Sequence, residues 1–344
     1  MPSSAFRIHG AGGAAALVSL AAASQFLKPA KVPVVYYGLS GDDAPASRLR
    51  HMLAQTPLDL TCFRQRTGRS PHEIIEVEAR IQGRILDVQF APDPGTVQCD
   101  PALFGESFSQ AAFNVYAGTA PLSILHAALP DMLAKGHHRG AVNIVGKVFD
   151  YAAEKLTTGQ RWTLSGTELC PHIDLLVTNG KEVRNLTGLA DVEEAVDYLV
   201  RQGLLAAIVT QGAEPVYYRS EGGPFGRSRG YVPVSPDLIA LVSERKLNSG
   251  LTIGAGENFL AGLLTDFMLQ VLADDFYPKG EVHIERELLQ TCPLRLRHAI
   301  EFAVVAGSLA CLQPVGLLIE KARGERLALV RKYFPDTAPA GRPW

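Results

Sequence analysis

The stretch Gly254-Ala255-Gly256-Glu257-Asn258-Phe259-Leu260-Ala261-Gly262 decides how this chain is read. It begins as a glycine-rich turn and runs into the apolar helical pattern Phe259, Leu260, Leu263, Leu264, Phe267 and Met268. Small residues let backbone N–H groups close around an anion, and a helix N-terminus adds the positive end of its dipole. The residue at the mouth of the predicted helix is a carboxylate, Glu257. Beside an anion pocket, that is where phosphoryl transfer would keep its base. An acidic side chain in a first helical turn also suits the dipole with no chemistry attached.

Outward from this stretch, strands alternate with helices. Val32-Pro-Val-Val-Tyr-Tyr37, Phe113-Asn-Val-Tyr116, Ala141-Val-Asn-Ile-Val145, Leu175-Leu-Val177 and Ala206-Ala-Ile-Val209 read as buried strands, with a further one near Tyr231-Val232. Helical patterns fit 14–27, 44–54, 120–134, 190–202, 257–273, 294–312 and 316–333, with a short one at 150–156. This alternation predicts a mostly parallel sheet covered on both faces. Residues 73–80 and 84–90 differ: polar and apolar side chains alternate around Gln82-Gly83, as in a hairpin with one wet face. The expected organisation is a single α/β domain over 1–335. A small antiparallel β lid is inserted at about 59–92, and a loose Pro/Gly/Ala-rich tail follows at 336–344.

Composition narrows the classes. The 344 residues are 47% hydrophobic and 20% charged, the composition expected of a soluble chain with a globular core. A net charge of −2 argues against a broad nucleic-acid-binding face. The five cysteines (62, 99, 170, 292 and 311) contain no C-x-x-C pair, so reduced thiols and no zinc site are expected. No segment reaches the roughly 18–20 apolar residues that cross a bilayer, so no membrane partner and a cytoplasmic location are expected. The small-residue run 11–23, AGGAAALVSLAAA, preceded by Arg7, keeps a targeting segment open as the alternative. His137-His138 reads as a solvated loop, since no third ligand is spaced for a metal.

Ligand sites in such sheets lie just beyond the C-terminal ends of strands. Asn179-Gly180-Lys181-Glu182 follows one strand there; its two polar side chains can face one bound ion or phosphate shell, or form a capping box. Thr210-Gln211-Gly212-Ala213 follows the next, with a hydroxyl and a flexible turn suited to phosphate oxygens or to an ordinary loop. Gly12 and Gly13 permit close backbone approach, and Asp42-Asp43 sits in a turn after the strand at 32–37.

Taken in order, these pieces resemble the ribokinase/PfkB carbohydrate kinase family, from Gly12 to about residue 318. Asn179 and Glu182 match its N-x-x-E, Thr210 and Gly212 its T-x-G, and Gly254-Ala255-Gly256 its G-A-G. The segment 304–316 looks like the helix and turn that the family places beside adenine. The resemblance implies a ribokinase-like three-layer α/β/α sandwich and transfer of the γ-phosphoryl group of ATP, with Mg²⁺, to a hydroxyl of a sugar-like or nucleoside-like acceptor. It casts Glu257 as base, the amides of Gly254, Ala255 and Gly256 as anion hole, and Thr210, Gly212 and Asn179 on the nucleotide. Glu182 with Asn179 organises Mg²⁺ through water, and Gly12, Gly13 and Asp42 face the substrate. Family members often form a homodimer through the lid sheet, and the alternating flap at 73–90 permits one.

The departures are specific. Glu257 replaces the family Asp, Leu251 replaces the Asp three residues before G-A-G, and Pro215 the last Gly of T-x-G-A-x-G. Leu251 puts the family's monovalent-cation site in doubt. Leu17 stands where the family has a sugar-binding Asn, and the family's opening strand has no evident counterpart ahead of Gly12. These losses support an alternative: a non-catalytic or regulatory nucleotide-binding relative.

Overall fold

The computed structural model of the chain describes residues 7–81, 84–93, 95–120, 122–148, 169–249, 253–273, 286–312 and 316–334. The strands are β1 (Ile8–Gly12), β2 (Val34–Ser40), β3 (Phe63–Gln65), β4 (His72–Ile81), β5 (Arg84–Asp93), β6 (Phe113–Ala117), β7 (Val142–Gly146), β8 (Leu175–Asn179), β9 (Ala206–Gln211), β10 (Glu214–Glu221) and β11 (Arg227–Val232). The helices described are α1 (Ala14–Leu27), α2 (Ala44–Leu53), α3 (Ser123–His138), α4 (Gly180–Thr187), α5 (Val192–Arg201), α6 (Pro236–Ser249), α7 (Ala255–Ala273), α8 (Arg286–Thr291), α9 (Leu296–Ala310) and α10 (Glu325–Tyr333).

Nine strands form one sheet in the order β11-β10-β9-β8-β7-β6-β1-β2-β3, parallel from β9 through β3 and antiparallel at the β11-β10-β9 end. The central strands are buried on both sides, which is why they read as continuous apolar runs rather than alternating ones. On one face, Leu20, Phe26, Phe113, Ile144, Leu263, Phe267 and Ile300 join the sheet to α1, α7 and α9. On the other, Tyr116, Leu125, Leu129, Val145, Val196 and Leu199 join it to α3 and α5. The result is a three-layer sandwich. β4 and β5 stand apart as a two-stranded antiparallel sheet.

Two expectations are corrected. The opening strand exists: β1 pairs in parallel with β2 on one side and β6 on the other, in the interior of the sheet. Its sequence, Ile8-His9-Gly10-Ala11-Gly12, carries two glycines and a histidine, so local propensity does not announce a strand; two parallel neighbours make it one. The run after it is α1, buried along nearly its whole length, so these alanines are part of the core. His137 and His138 end α3 instead of lying in a loop, and His137 meets the His172 ring at 5.6 Å. No cluster of metal-ligating side chains occurs among the described residues.

Strand β10 and helix α6 have no counterpart among the expected elements. The helix expected at 150–156, the turn at Gln82-Gly83, Leu251 and the tail 336–344 lie outside the described residues. No described helix is long and apolar enough to cross a membrane.

Candidate active site

The parallel register brings the sequence motifs to one edge. Gly12 lies opposite Ala117, Ala117 opposite Gly146, and Asn179 opposite Thr210, all at the C-terminal ends of their strands. Glycine is required at position 12. Its φ is +150°, and a Cβ there would sit 1.9 Å from the carbonyl oxygen of Ala117. Gly13 donates its N–H to the carbonyls of Ala117 and Gly118, and the Tyr36 hydroxyl donates to the Gly12 carbonyl at 2.8 Å. The two glycines therefore dock the β1–α1 turn on the end of β6. Leu17 is buried in the core from α1.

Asn179 and Glu182 form the capping box that their spacing allows. The Asn179 side chain accepts from the Glu182 N–H at 2.9 Å, and Glu182 Oε2 accepts from the Asn179 N–H at 3.1 Å. The Thr178 hydroxyl donates to the same oxygen at 2.9 Å. Glu182 is only 5% exposed, and burial pushes its carboxyl above the usual 4.5; the Thr178 and Asn179 hydrogen bonds and Lys147 oppose that, while Glu257 adds to it. A folded-state pKa raised above the unfolded one gives stability that is present below pH 4.5 and lost as pH rises through the folded value. Glu182→Gln keeps an acceptor for both hydrogen bonds and removes the buried charge. We expect its melting temperature to equal or exceed wild type at pH 8, with a smaller difference at pH 5; marked destabilisation at both would show that the carboxylate itself holds the cap.

Glu257 stands in the first turn of α7 with its side chain 12% exposed, and its Oε1 meets Lys147 Nζ at 2.5 Å. Lys147 follows the end of β7 with a left-handed backbone, φ +49°, a conformation that surroundings must hold in place for a non-glycine residue. Its Cε passes 3.7 Å from where a Cβ on Gly256 would be, so the lysine arches over the glycine turn. Glu182 feels both Lys147 and Glu257, so two acids and one base share the cleft.

Gly254 takes φ +88°, and a Cβ on it would fall 2.3 Å from Gly316 Cα. The glycine turn thus lies directly on the backbone of the C-terminal loop. Asn258 fastens the two: its Nδ2 donates to the Gly254 and Gly316 carbonyls, each at 2.8 Å.

Thr210 is the last residue but one of β9, and its hydroxyl donates to the Thr178 carbonyl at 3.4 Å; Gly212 takes φ +68° in the turn to β10 with open space around it. Asp42 and Asp43 do other work nearby. Asp42 accepts from the Gly68 N–H, while Asp43 caps α2 and accepts from the N–H and hydroxyl of Ser70. Thr96 in turn bonds Arg69 through both its hydroxyl and its N–H, so the two ends of the β4–β5 hairpin are tied to each other and to this turn.

The model of the pfkB family of carbohydrate kinases matches residues 8–316, most of the chain. The chain belongs to the pfkB carbohydrate kinase family. No curated protein sequence matches it. Among solved structures it is similar to a fructokinase with bound ATP from Xylella fastidiosa, at 16% identity and TM-score 0.72, covering 96% of this chain and 99% of that one. A putative ribokinase II from E. coli in complex with ATP and Mg²⁺ gives 12% identity and TM-score 0.68, covering 95% and 99%. An adenosine kinase from Sinorhizobium meliloti gives 14% identity and TM-score 0.64, covering 95% and 90%. At such identities the structural likeness establishes the ribokinase-like α/β fold, and the family match makes the chain a kinase relative.

Three residues in or behind this cluster escaped the sequence reading. Lys147 was within reach of the rule that ligand residues follow strand ends, and Asn258 adjoins Glu257. Arg326, which donates to Asn258, carries no local signal.

Proposed function

We propose that this chain transfers the γ-phosphoryl group of ATP to a hydroxyl of a sugar or sugar-like alcohol, with Glu257 as general base. The observation that carries the reading is the meeting of Glu257, Lys147 and Gly256 at the mouth of α7, beside Glu182. The N–H groups of Gly254, Ala255 and Gly256 would receive the transferring phosphoryl group, where fixed dipoles act with little reorganisation. Thr210, Gly212 and Asn179 would hold the nucleotide. Gly12, Gly13 and Asp42 would line the acceptor side.

Glu182 suits a magnesium–phosphate shell better than a dedicated cage, because Mg²⁺ binds through one or two carboxylates, waters and phosphates. When bound, Mg²⁺ would neutralise charge on the phosphates. Glu182 and Asn179 would orient its water shell, which the buried, hydrogen-bonded cap keeps rigid.

Lys147 changes partners in this scheme. In the free protein it holds the Glu257 carboxylate; nucleotide phosphates would compete for its ammonium and leave the carboxylate facing the acceptor. The β4–β5 hairpin, anchored through Asp42 and Asp43, would act as a lid that excludes water, and its sheet offers a homodimer surface. Residues 1–335 would form the single catalytic domain.

Lys147→Met is expected to raise the KM for ATP about tenfold, since one charge-assisted hydrogen bond contributes about 1.5–3 kcal/mol and Lys147 is 45% exposed. Steady-state kinetics against ATP check it; an unchanged KM would remove Lys147 from the nucleotide site. The test of the whole reading is calorimetric binding of ATP·Mg²⁺ followed by ADP release across sugar and nucleoside panels. Acceptor-dependent turnover establishes the kinase. Binding without turnover on any acceptor favours the regulatory relative, and no binding excludes both. Glu182→Gln should bind ATP·Mg²⁺ at least tenfold more weakly while remaining folded.

A further inference from the structure

Outside the cleft, Arg326 is the one arginine or lysine among the described residues that is buried, in the first turn of α10 and 6% exposed. A buried guanidinium is costly unless its donors are placed. These donors are placed on the back of the glycine turn. Nη2 donates to Asn258 Oδ1 and Nη1 to the Leu318 carbonyl at 3.3 Å, while the guanidinium carbon stacks 4.6 Å over the Phe26 ring of α1. Burial lowers its pKa to about 10, which leaves it charged at neutral pH.

The consequence runs through the amide of Asn258. That side chain spends both Nδ2 hydrogens on the Gly254 and Gly316 carbonyls, and only its Oδ1 faces Arg326. A guanidinium is a donor alone, so it dictates which end of the amide points where. Were the amide reversed, its oxygen would face two carbonyl oxygens and its NH₂ would face the cation. The Leu318 side of the clamp is anchored independently: Gln25 donates to the Leu318 carbonyl at 2.9 Å and accepts from the Glu320 N–H at 2.7 Å.

We propose that Arg326, acting through Asn258, is a positioning residue that sets the Gly254–Gly256 turn for phosphoryl transfer. This rests on the kinase reading above for its catalytic arm, and on the hydrogen-bond chain alone for its structural arm. The role is one of geometry, so it acts on the chemical step more than on nucleotide affinity; displacement of a reacting group by about 1 Å costs roughly a hundredfold.

The experiment compares wild type with Arg326→Met, Arg326→Ala, Arg326→Lys and Asn258→Asp. The last keeps an oxygen for Arg326 but loses both donors to the glycine carbonyls. Amide hydrogen exchange of peptides covering 254–262, which needs no acceptor, should rise at least tenfold in Arg326→Met and Asn258→Asp. It should fall back toward wild type when guanidinium ion at millimolar levels is added to Arg326→Ala, whose site opens onto a cavity of about 50 Å³ lined by Phe26, Leu309, Gly316 and Leu318. With an acceptor in hand, kcat should fall ten- to a hundredfold in Arg326→Met with the ATP KM within about threefold of wild type, and Arg326→Lys should recover part of it.

Wild-type exchange at 254–262 in folded Arg326→Met overturns the proposal. So does a loss of protection spread evenly over the whole chain, or exchange in Arg326→Ala that guanidinium leaves unchanged. Absence of turnover in wild type would instead count against the kinase reading, and the exchange result would still judge Arg326.

Discussion

Glu257→Gln is expected to lower kcat by about 10²–10⁴-fold, the contribution that a positioned general base makes. Glutamine is nearly isosteric, so the α7 first turn and the glycine turn beneath it stay in place, and the ATP KM should move little. It still offers Lys147 an oxygen, though without the charge that now draws Nζ to 2.5 Å. The loss therefore reports the proton-accepting carboxylate rather than the architecture. Glu257→Asp separates length from charge. Aspartate withdraws the carboxylate by one methylene from Lys147 and toward the helix; a rate above wild type would show that the longer side chain slows this chain, and a lower rate would show that the cleft has adapted to Glu. Steady-state kinetics on the best acceptor decide both. A Gln variant with wild-type kcat would remove Glu257 from the reaction and leave it as a dipole-stabilising acid.

The second large effect is on folding. Gly12→Ala should cost more than about 4 kcal/mol of stability, a size reached by only a few mechanisms. Two of them coincide here. A residue with a Cβ is strained at φ +150°, and that Cβ would overlap the Ala117 carbonyl oxygen at 1.9 Å. The overlap cannot be relieved by a rotamer, since the obstacle is backbone of the adjacent central strand β6. We expect mostly insoluble protein, and a denaturant midpoint well below wild type in whatever remains soluble. Near-wild-type stability would mean that β1 does not end against β6 in this register.

Much of the architecture was legible because it is written in local pattern. Continuous apolar runs such as Leu175–Val177 and Ala206–Val209 became buried parallel strands, and the alternating polarity around 73–90 became the separate antiparallel pair. The Asn179–Glu182 spacing became a capping box, which three-residue spacing at a helix start is enough to dictate. β1 was missed for the opposite reason. Ile8–Gly12 is a weak strand by composition, and its backbone partners, β2 and β6, come from positions about 25 and 105 residues further along. β10 was obscured by Pro215, which the antiparallel end of the sheet tolerates near the start of the strand.

The candidate site divides in the same way. Sequence alone determined the alternation of strand and helix, the glycine turn leading into α7 with its carboxylate, and the caps, because each depends on residues within one or two turns of one another. Only the tertiary structure decided that Lys147 faces Glu257, that Asp42 and Asp43 tether the hairpin, and that Arg326 orients Asn258 behind the glycine turn. Those contacts join residues 26 to 110 positions apart, and which of many such pairs meet is set by strand order and helix packing across the whole sheet. No local spacing carries that information.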